Sequence, residues 1–195
     1  MPDIKEAKIL ILATDGFEEV ELTVPLEKLR AQGATVEVAA PEKTRAPGQI
    51  TAWDGMKEPE DWGRSVPVDR ALAEVRADDY DAIVLPGGVL NPDHLRVEPQ
   101  VIALVQDFAA KGKVVASICH GPWILVEAGL AKGRKMTSFS SIKTDVQNAG
   151  ATWLDQAVVT DKGIVTSRSP EDLDAFVAKI VEEVREGSHG ARRAA

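Results

Sequence analysis

One cysteine, three histidines and a deficit of basic charge are the scarcities of this 195-residue sequence. A single cysteine excludes an intrachain disulfide and sets aside cysteine-based metal sites. His94, His120 and His189 have no metal-ligand spacing, so no metal and no cofactor are expected. Lysine and arginine total 23 against 31 acidic residues, a net charge of −8. That balance argues against a nucleic-acid partner, which would call for a basic face. No apolar run approaches a membrane span. Met1 to Glu6 lack the apolar region of a signal peptide. The expectation is a soluble, cytoplasmic chain with no membrane partner. Internal repeats are absent too, and no linker interrupts the pattern. This predicts one domain over residues 1–186, followed by a polar tail at 187–195 that contains His189 and is expected to be disordered.

What is present is strand and helix in alternation. Lys8-Ile9-Leu10-Ile11-Leu12-Ala13-Thr14 is an almost unbroken apolar run, the pattern of a parallel strand buried on both faces. Residues 19–32 carry apolar positions at helical intervals, with Pro25 placed to kink the helix or to lie in its first turn. Thr35 to Ala40 is a second strand. Two strands joined by a helix make a parallel βαβ unit. Pro41 to Asp69 is rich in turn residues and predicts an excursion with a hairpin, roughly 48–53 paired with 64–68. Its Trp53 and Trp62 would pack over the sheet or at a subunit contact. Val68 to Arg76 reads as a short helix, Asp81 to Leu85 as a strand and Pro99 to Lys111 as an amphipathic helix. Further short strands are expected near 151–153, 157–160 and 163–167. Ser169 is expected to cap a last helix that runs to about Arg185.

The chemistry centres on Val114 to Leu125. Val114-Val115-Ala116-Ser117-Ile118 reads as a buried strand, and Pro122 opens a helix. Cys119 therefore sits on a sharp strand-to-helix turn, the geometry that lifts a nucleophile out of a sheet. The start of a helix favours negative charge, which predicts a thiol pKa below the free value of about 8.5. His120 beside it is a candidate general base. The competing reading is a small buried apolar cysteine.

Glu18 and Glu21 are three residues apart at a helix start after a strand's carboxyl end, where sites of open α/β sheets lie. By residue type alone they read first as solvated first-turn carboxylates, which helix dipoles favour. Gly87-Gly88 permits close backbone approach, or is a plain tight turn. Asp93 reads as a helix cap after Pro92. His94 reads as a surface histidine.

Ala116-Ser117-Ile118-Cys119-His120-Gly121-Pro122 resembles the signature of the PfpI family, the intracellular-protease-I-like proteins. Their superfamily includes the Parkinson-associated stress protein and the class I glutamine amidotransferases. The likeness runs from Ile9 to about Val184. It takes in Gly16-Phe17-Glu18-Glu19-Val20-Glu21, Leu85-Pro86-Gly87-Gly88, Gly133-Arg134-Lys135 and Ser167-Arg168-Ser169-Pro170. It implies a flavodoxin-like α/β sandwich with a mainly parallel sheet. By this resemblance Glu21 hydrogen-bonds the elbow cysteine, with Glu18 its acidic neighbour. A carboxyl so close to a thiolate should have a raised pKa. The N–H groups of Gly88 and His120 would form an oxyanion hole. Asp93 would face the histidine of a neighbouring subunit, where the protease pattern has Glu. Phe139 stands where protease-type members tend to have tyrosine.

The resemblance implies a homodimer or a larger homo-oligomer. It also implies a stress-response role, with a cysteine-dependent hydrolase acting on peptides or on reactive aldehydes of the methylglyoxal type. The alternatives are a non-enzymatic sensor in which Cys119 is oxidised, and a chaperone that needs little from the thiol.

Overall fold

The computed structural model describes residues 3–53 and 62–187. Its strands are β1 (Lys8–Leu12), β2 (Phe17–Glu18), β3 (Thr35–Ala40), β4 (Gln49–Trp53), β5 (Trp62–Pro67), β6 (Arg70–Ala71), β7 (Ala82–Leu85), β8 (Val114–Ile118), β9 (Lys135–Met136), β10 (Thr152–Trp153), β11 (Val158–Asp161) and β12 (Ile164–Ser167). Its helices are α1 (Glu19–Ala31), α2 (Leu90–Leu95), α3 (Pro99–Ala110), α4 (Pro122–Glu127), α5 (Lys143–Asn148) and α6 (Leu173–Glu186). Seven strands form the central sheet in the order β11-β12-β8-β7-β1-β3-β6. All pairings in it are parallel except that of β11 with β12.

The apolar run of β1 explains the three layers. Successive side chains of a strand face opposite sides. Ile9 and Ile11 enter a core with Leu22, Leu26 and Leu29 of α1 and Phe176, Val177 and Ile180 of α6. Leu10 and Leu12 enter a second core with Val101, Leu104 and Phe108 of α3 and Leu125 of α4. Both faces of β1 are fully buried, so it can lie only inside a sheet covered on both sides. The fold is the mainly parallel α/β sandwich that the sequence implies.

Pro25 lies well inside α1, beyond its first turn. Its missing N–H leaves the Glu21 carbonyl without the usual helical donor. The excursion forms the expected hairpin: Gln49 pairs with Pro67, Ile50 with Val66 and Trp53 with Trp62. The turn residues between the two strands, 54–61, fall outside the described residues. Trp53 and Trp62 pack edge to face on each other, with ring centroids 5.3 Å apart, and the Arg45 guanidinium lies 3.8 Å over Trp62. Asp15 ties this hairpin to the carboxyl end of β1, its two oxygens accepting from Thr51 N–H and Arg45 N–H at 2.7 Å each.

Residues 68–76 correct the sequence reading. The short helix expected there is replaced by β6 and a 3₁₀ turn over Leu72–Glu74. Asp69 causes the difference. Its N–H donates to Val38 C=O and its carboxylate accepts from Val38 N–H, both at 2.8 Å. These bonds hold the segment in register with β3, and tertiary pairing overrides local propensity. Ser169 precedes a 3₁₀ turn at Pro170–Asp172, but its hydroxyl donates to the Glu171 carboxylate at 2.9 Å and caps no backbone N–H.

Candidate active site

β8 ends at Ile118 and α4 begins at Pro122, so Cys119 occupies the turn between them. Its φ is +62°, in the left-handed region that side chains other than glycine rarely adopt. Such backbone costs about 1–3 kcal/mol and persists only where its surroundings over-determine it. Cys119 N–H donates to Ser167 C=O at 3.1 Å, and Phe139 N–H donates to Cys119 C=O at 2.9 Å. Gly121 closes the turn. A Cβ there would lie 2.5 Å from Ser117 Oγ and 2.6 Å from Leu85 O, so no side chain fits.

The same turn folds His120 back over its neighbour. Nδ1 of His120 lies 3.2 Å from Sγ of Cys119, and Nε2 lies 3.0 Å from Oγ of Ser141. The imidazole stacks on Phe139 at a centroid distance of 5.0 Å, and Trp123 meets it obliquely at 5.3 Å. Trp123 is itself fixed, its Nε1–H donating to Asp145 at 2.8 Å. Burial holds the His120 pKa below the ordinary imidazole value. The ring is therefore neutral at neutral pH and can accept a proton. Phe139 stands beside the histidine and brings no hydroxyl.

Glu21 is fully buried under Cys119. Its Oε2 accepts from Gly87 N–H at 2.8 Å, and its carboxyl is hydrogen-bonded to the Cys119 thiol. Oε1 has no hydrogen-bond partner. Burial pushes Glu21 up to about 8, which the Cys119 and Gly87 hydrogen bonds offset only in part, and the nearby Glu18 charge adds to the rise. Glu21 is accordingly a neutral acid at neutral pH. Burial also pushes the Cys119 thiol up, and the Glu21 carboxylate adds to it, whereas the N–H groups of Gly88 and His120 pull it down.

This corrects the expectation of a thiol held below its free value by the following helix. α4 is only six residues long, and desolvation outweighs its dipole. Glu21 therefore loses its proton first, and the Cys119 thiol ionises against the charge left there.

Gly87 and Gly88 are needed for steric reasons. A Cβ on Gly87 would lie 2.5 Å from Glu21 Oε2 and 2.7 Å from Cys119 Cβ. Gly88 has φ +76°, and a Cβ there would lie 2.6 Å from Gly16 O. Asn91 sets this loop and is a residue the sequence reading missed. Its Oδ1 accepts from Thr14 N–H at 2.7 Å, and its Nδ2 donates to Pro86 O at 2.8 Å and Gly87 O at 3.1 Å. An Asn four positions after Gly87 reads in sequence as one more turn residue, so only its burial reveals the role.

Glu18 lies half-buried at the N-cap of α1, close enough to Glu21 to act on its charge. Asp93 is exposed on α2. The helix-cap reading for it is corrected, because the N-cap position is Val89 and no side chain caps the helix. The group that meets His120 Nε2 within the chain is Ser141, not Asp93. His94 is exposed, as expected, and lines a cleft of about 950 Å³ with Thr14, Pro41, Leu72, Leu95 and Val97. The lining of that cleft includes neither Cys119 nor Glu21. Among the described residues no group of three His, Cys, Asp or Glu side chains is placed to hold a metal, and no helix is long and apolar enough to cross a membrane.

Residues 7–183 match the DJ-1/PfpI family. A deglycase of Thermococcus kodakarensis is 44% identical over 178 residues, covering 91% of this chain and 99% of its own length. Protein/nucleic acid deglycase 2 of Escherichia coli is 42% identical over 170 residues, covering 87% and 92%. The crystal structure of Drosophila melanogaster DJ-1beta superposes with a TM-score of 0.79 at 28% identity, covering 97% of this chain and 99% of that one. Sequence and fold thus agree along the chain, and this protein belongs to the DJ-1/PfpI family.

Proposed function

We propose that this protein is a cysteine-dependent hydrolase that removes reactive-aldehyde adducts of the methylglyoxal type. The observation that carries the reading is the 3.2 Å approach of a neutral imidazole Nδ1 to the buried sulfur. Cys119 Sγ adds to an electrophilic carbonyl carbon. The S–C bond forms as the carbonyl π bond opens, and the thiol proton passes to His120 Nδ1. The developing oxyanion turns to the N–H groups of Gly88 and His120, the two that already hydrogen-bond the sulfur. In an aminocarbinol adduct the amine sits on the carbon next to that carbonyl, so the carbinol O–H opens to a carbonyl as the C–N bond breaks, its proton neutralises the oxyanion, and His120 returns the thiol proton to the departing amine. The hemithioketal left on Cys119 then breaks its S–C bond with its hydroxyl proton returning to sulfur, and the released dicarbonyl is hydrated by water.

The names of the relatives support aldehyde adducts as the substrate class. A peptidase reading needs more. It places Asp93 of one copy beside His120 of another in a homo-oligomer, so it depends on self-association.

A second reading is favoured by Glu21, a neutral acid at neutral pH hydrogen-bonded to the sulfur. Such a group can donate to an oxidised cysteine, which suits an oxidative-stress sensor. The test of the hydrolase reading is release of amine from methylglyoxal-modified N-acetyl-lysine, with Cys119→Ser as control. More than one release per site, lost in Cys119→Ser, is expected. Release equal in both proteins, or stopping at one per site, would overturn hydrolysis and leave the sensor.

A further inference from the structure

We propose that Ser141 is a positioning residue that holds the imidazole of His120 in register with Cys119 from within the same chain. The proposal rests on the reading of Cys119 and His120 as the reacting pair. A neutral imidazole carries one N–H, and it can take the thiol proton only through the nitrogen that lacks one. Nδ1 faces the sulfur at 3.2 Å, so the N–H belongs on Nε2. Nε2 meets Ser141 Oγ at 3.0 Å, and the hydroxyl oxygen accepts that hydrogen. The tautomer that leaves Nδ1 free for the thiol needs an acceptor at Nε2, and the Ser141 hydroxyl supplies one.

The position of Ser141 is itself fixed. It lies in a 3₁₀ turn over Ser140–Ile142, anchored by buried Ile142 and by the Ile142 N–H bond to Phe139 C=O at 3.2 Å. Phe139 N–H in turn donates to Cys119 C=O at 2.9 Å. One tether thus joins the elbow backbone to the residue that orients the base. Phe139 and Trp123 fix the plane of the ring, and Ser141 fixes its rotation within that plane.

Chemically, a hydroxyl is a neutral acceptor. A carboxylate at Nε2 would stabilise the imidazolium and favour a preformed thiolate–imidazolium pair. A hydroxyl orients the ring without doing so. With His120 held low by burial, the proton leaves sulfur as the sulfur attacks.

The experiment uses a His94→Gln/His189→Gln background, in which His120 carries the only imidazole signal. Imidazole ¹⁵N shifts report the tautomer, and iodoacetamide labelling reports thiol reactivity. Ser141→Ala is expected to move the His120 nitrogens toward the values of a free imidazole and to slow labelling about fivefold, the worth of one hydrogen bond. Ser141→Thr keeps the hydroxyl and is expected to restore both. Ser141→Asp is expected to raise the His120 titration midpoint by about one unit. Unchanged ¹⁵N shifts in Ser141→Ala, or no rescue by Ser141→Thr, would overturn the proposal. The hydrolase reading is judged separately: wild-type protein that gives the expected ¹⁵N pattern without turnover refutes hydrolysis and leaves the role of Ser141 in place.

Discussion

Nδ1 of His120 lies 3.2 Å from Sγ of Cys119, although the two residues are consecutive. Consecutive side chains of an extended chain point to opposite sides. The positive φ of Cys119 breaks that rule and brings both groups to one side of the turn. If His120 moves the thiol proton, His120→Asn should lower turnover by about 10²-fold or more, the usual worth of a positioned base. Far-UV circular dichroism checks that the variant stays folded. Turnover within a factor of two of wild type would remove His120 from the chemistry.

Glu21 gives the protein a pH-dependent stability. Its pKa is about 8 in the folded chain against an ordinary 4.5. Between those values the folded chain keeps a proton that the unfolded chain has released. Stability therefore falls as pH rises from about 4.5 and levels off above about 8, by at most ~1.4 kcal/mol per unit. Gln stays neutral, so Glu21→Gln should flatten this slope and be more stable than wild type at pH 8. Urea melts at pH 5 and pH 8 measure it, and equal slopes in the two proteins would contradict a neutral Glu21.

The same pair shapes the reactivity of the thiol. In wild type the second proton leaves against the charge left by the first, so the rate of Cys119 alkylation against pH should depart from a single-site curve. Glu21→Gln leaves one ionisable group, and its curve should fit one site. Stopped-flow alkylation from pH 5 to 10 distinguishes the two, and a single-site curve in wild type counts against the coupling.

Gly88→Ala tests the loop opposite the elbow. The new Cβ would need φ near +76° and would sit 2.6 Å from Gly16 O. We expect a loss of about 1–3 kcal/mol in stability from the backbone conformation alone. Turnover should fall further than stability explains, because the N–H that faces the oxyanion moves with the backbone. A variant with wild-type kcat would exclude Gly88 from the oxyanion hole.

Asn91→Asp is nearly isosteric but replaces a donor with an acceptor. The new oxygen would face Pro86 O and Gly87 O, which now accept from Nδ2 at 2.8 and 3.1 Å. Each buried acceptor left unbonded costs of order 1–3 kcal/mol. Thermal melting should drop well below wild type, while Asn91→Ser should fall less. Equal melting of Asn91→Asp and wild type would deny Asn91 its place as the anchor of the loop.

Much of this was written in the sequence at positions where local pattern and tertiary context agree. The run from Ile9 to Leu12 could only be an inner strand, and its neighbours in sequence supplied the covering helix. Cys119 was legible because strand, Gly121 and Pro122 follow one another without a gap. Glu21 was ambiguous by itself, since a first-turn carboxylate suits solvent as well as a buried sulfur. Its burial decides the matter, and burial depends on how α1 lies against the Gly87 loop.

Four features were not legible. Asn91 and Ser141 act through partners distant in sequence, and neither residue type signals a site. Residues 68–76 form a strand and a turn because Asp69 pairs with Val38, a contact 31 positions away. The lowered thiol pKa failed for a physical reason: a six-residue helix offers too small a dipole to offset the loss of water around sulfur.

The borders of the central sheet have a consequence for assembly. One border is β6, only two residues long, and the other is β11, the single antiparallel strand. A border strand of two residues, and one of only four, give an incoming chain little backbone to bond. Lengthening the sheet from copy to copy is therefore disfavoured, which also guards against fibril growth from its edges. A contact between two copies made on the helical faces would be chosen by shape and charge, and not by a repeating ladder.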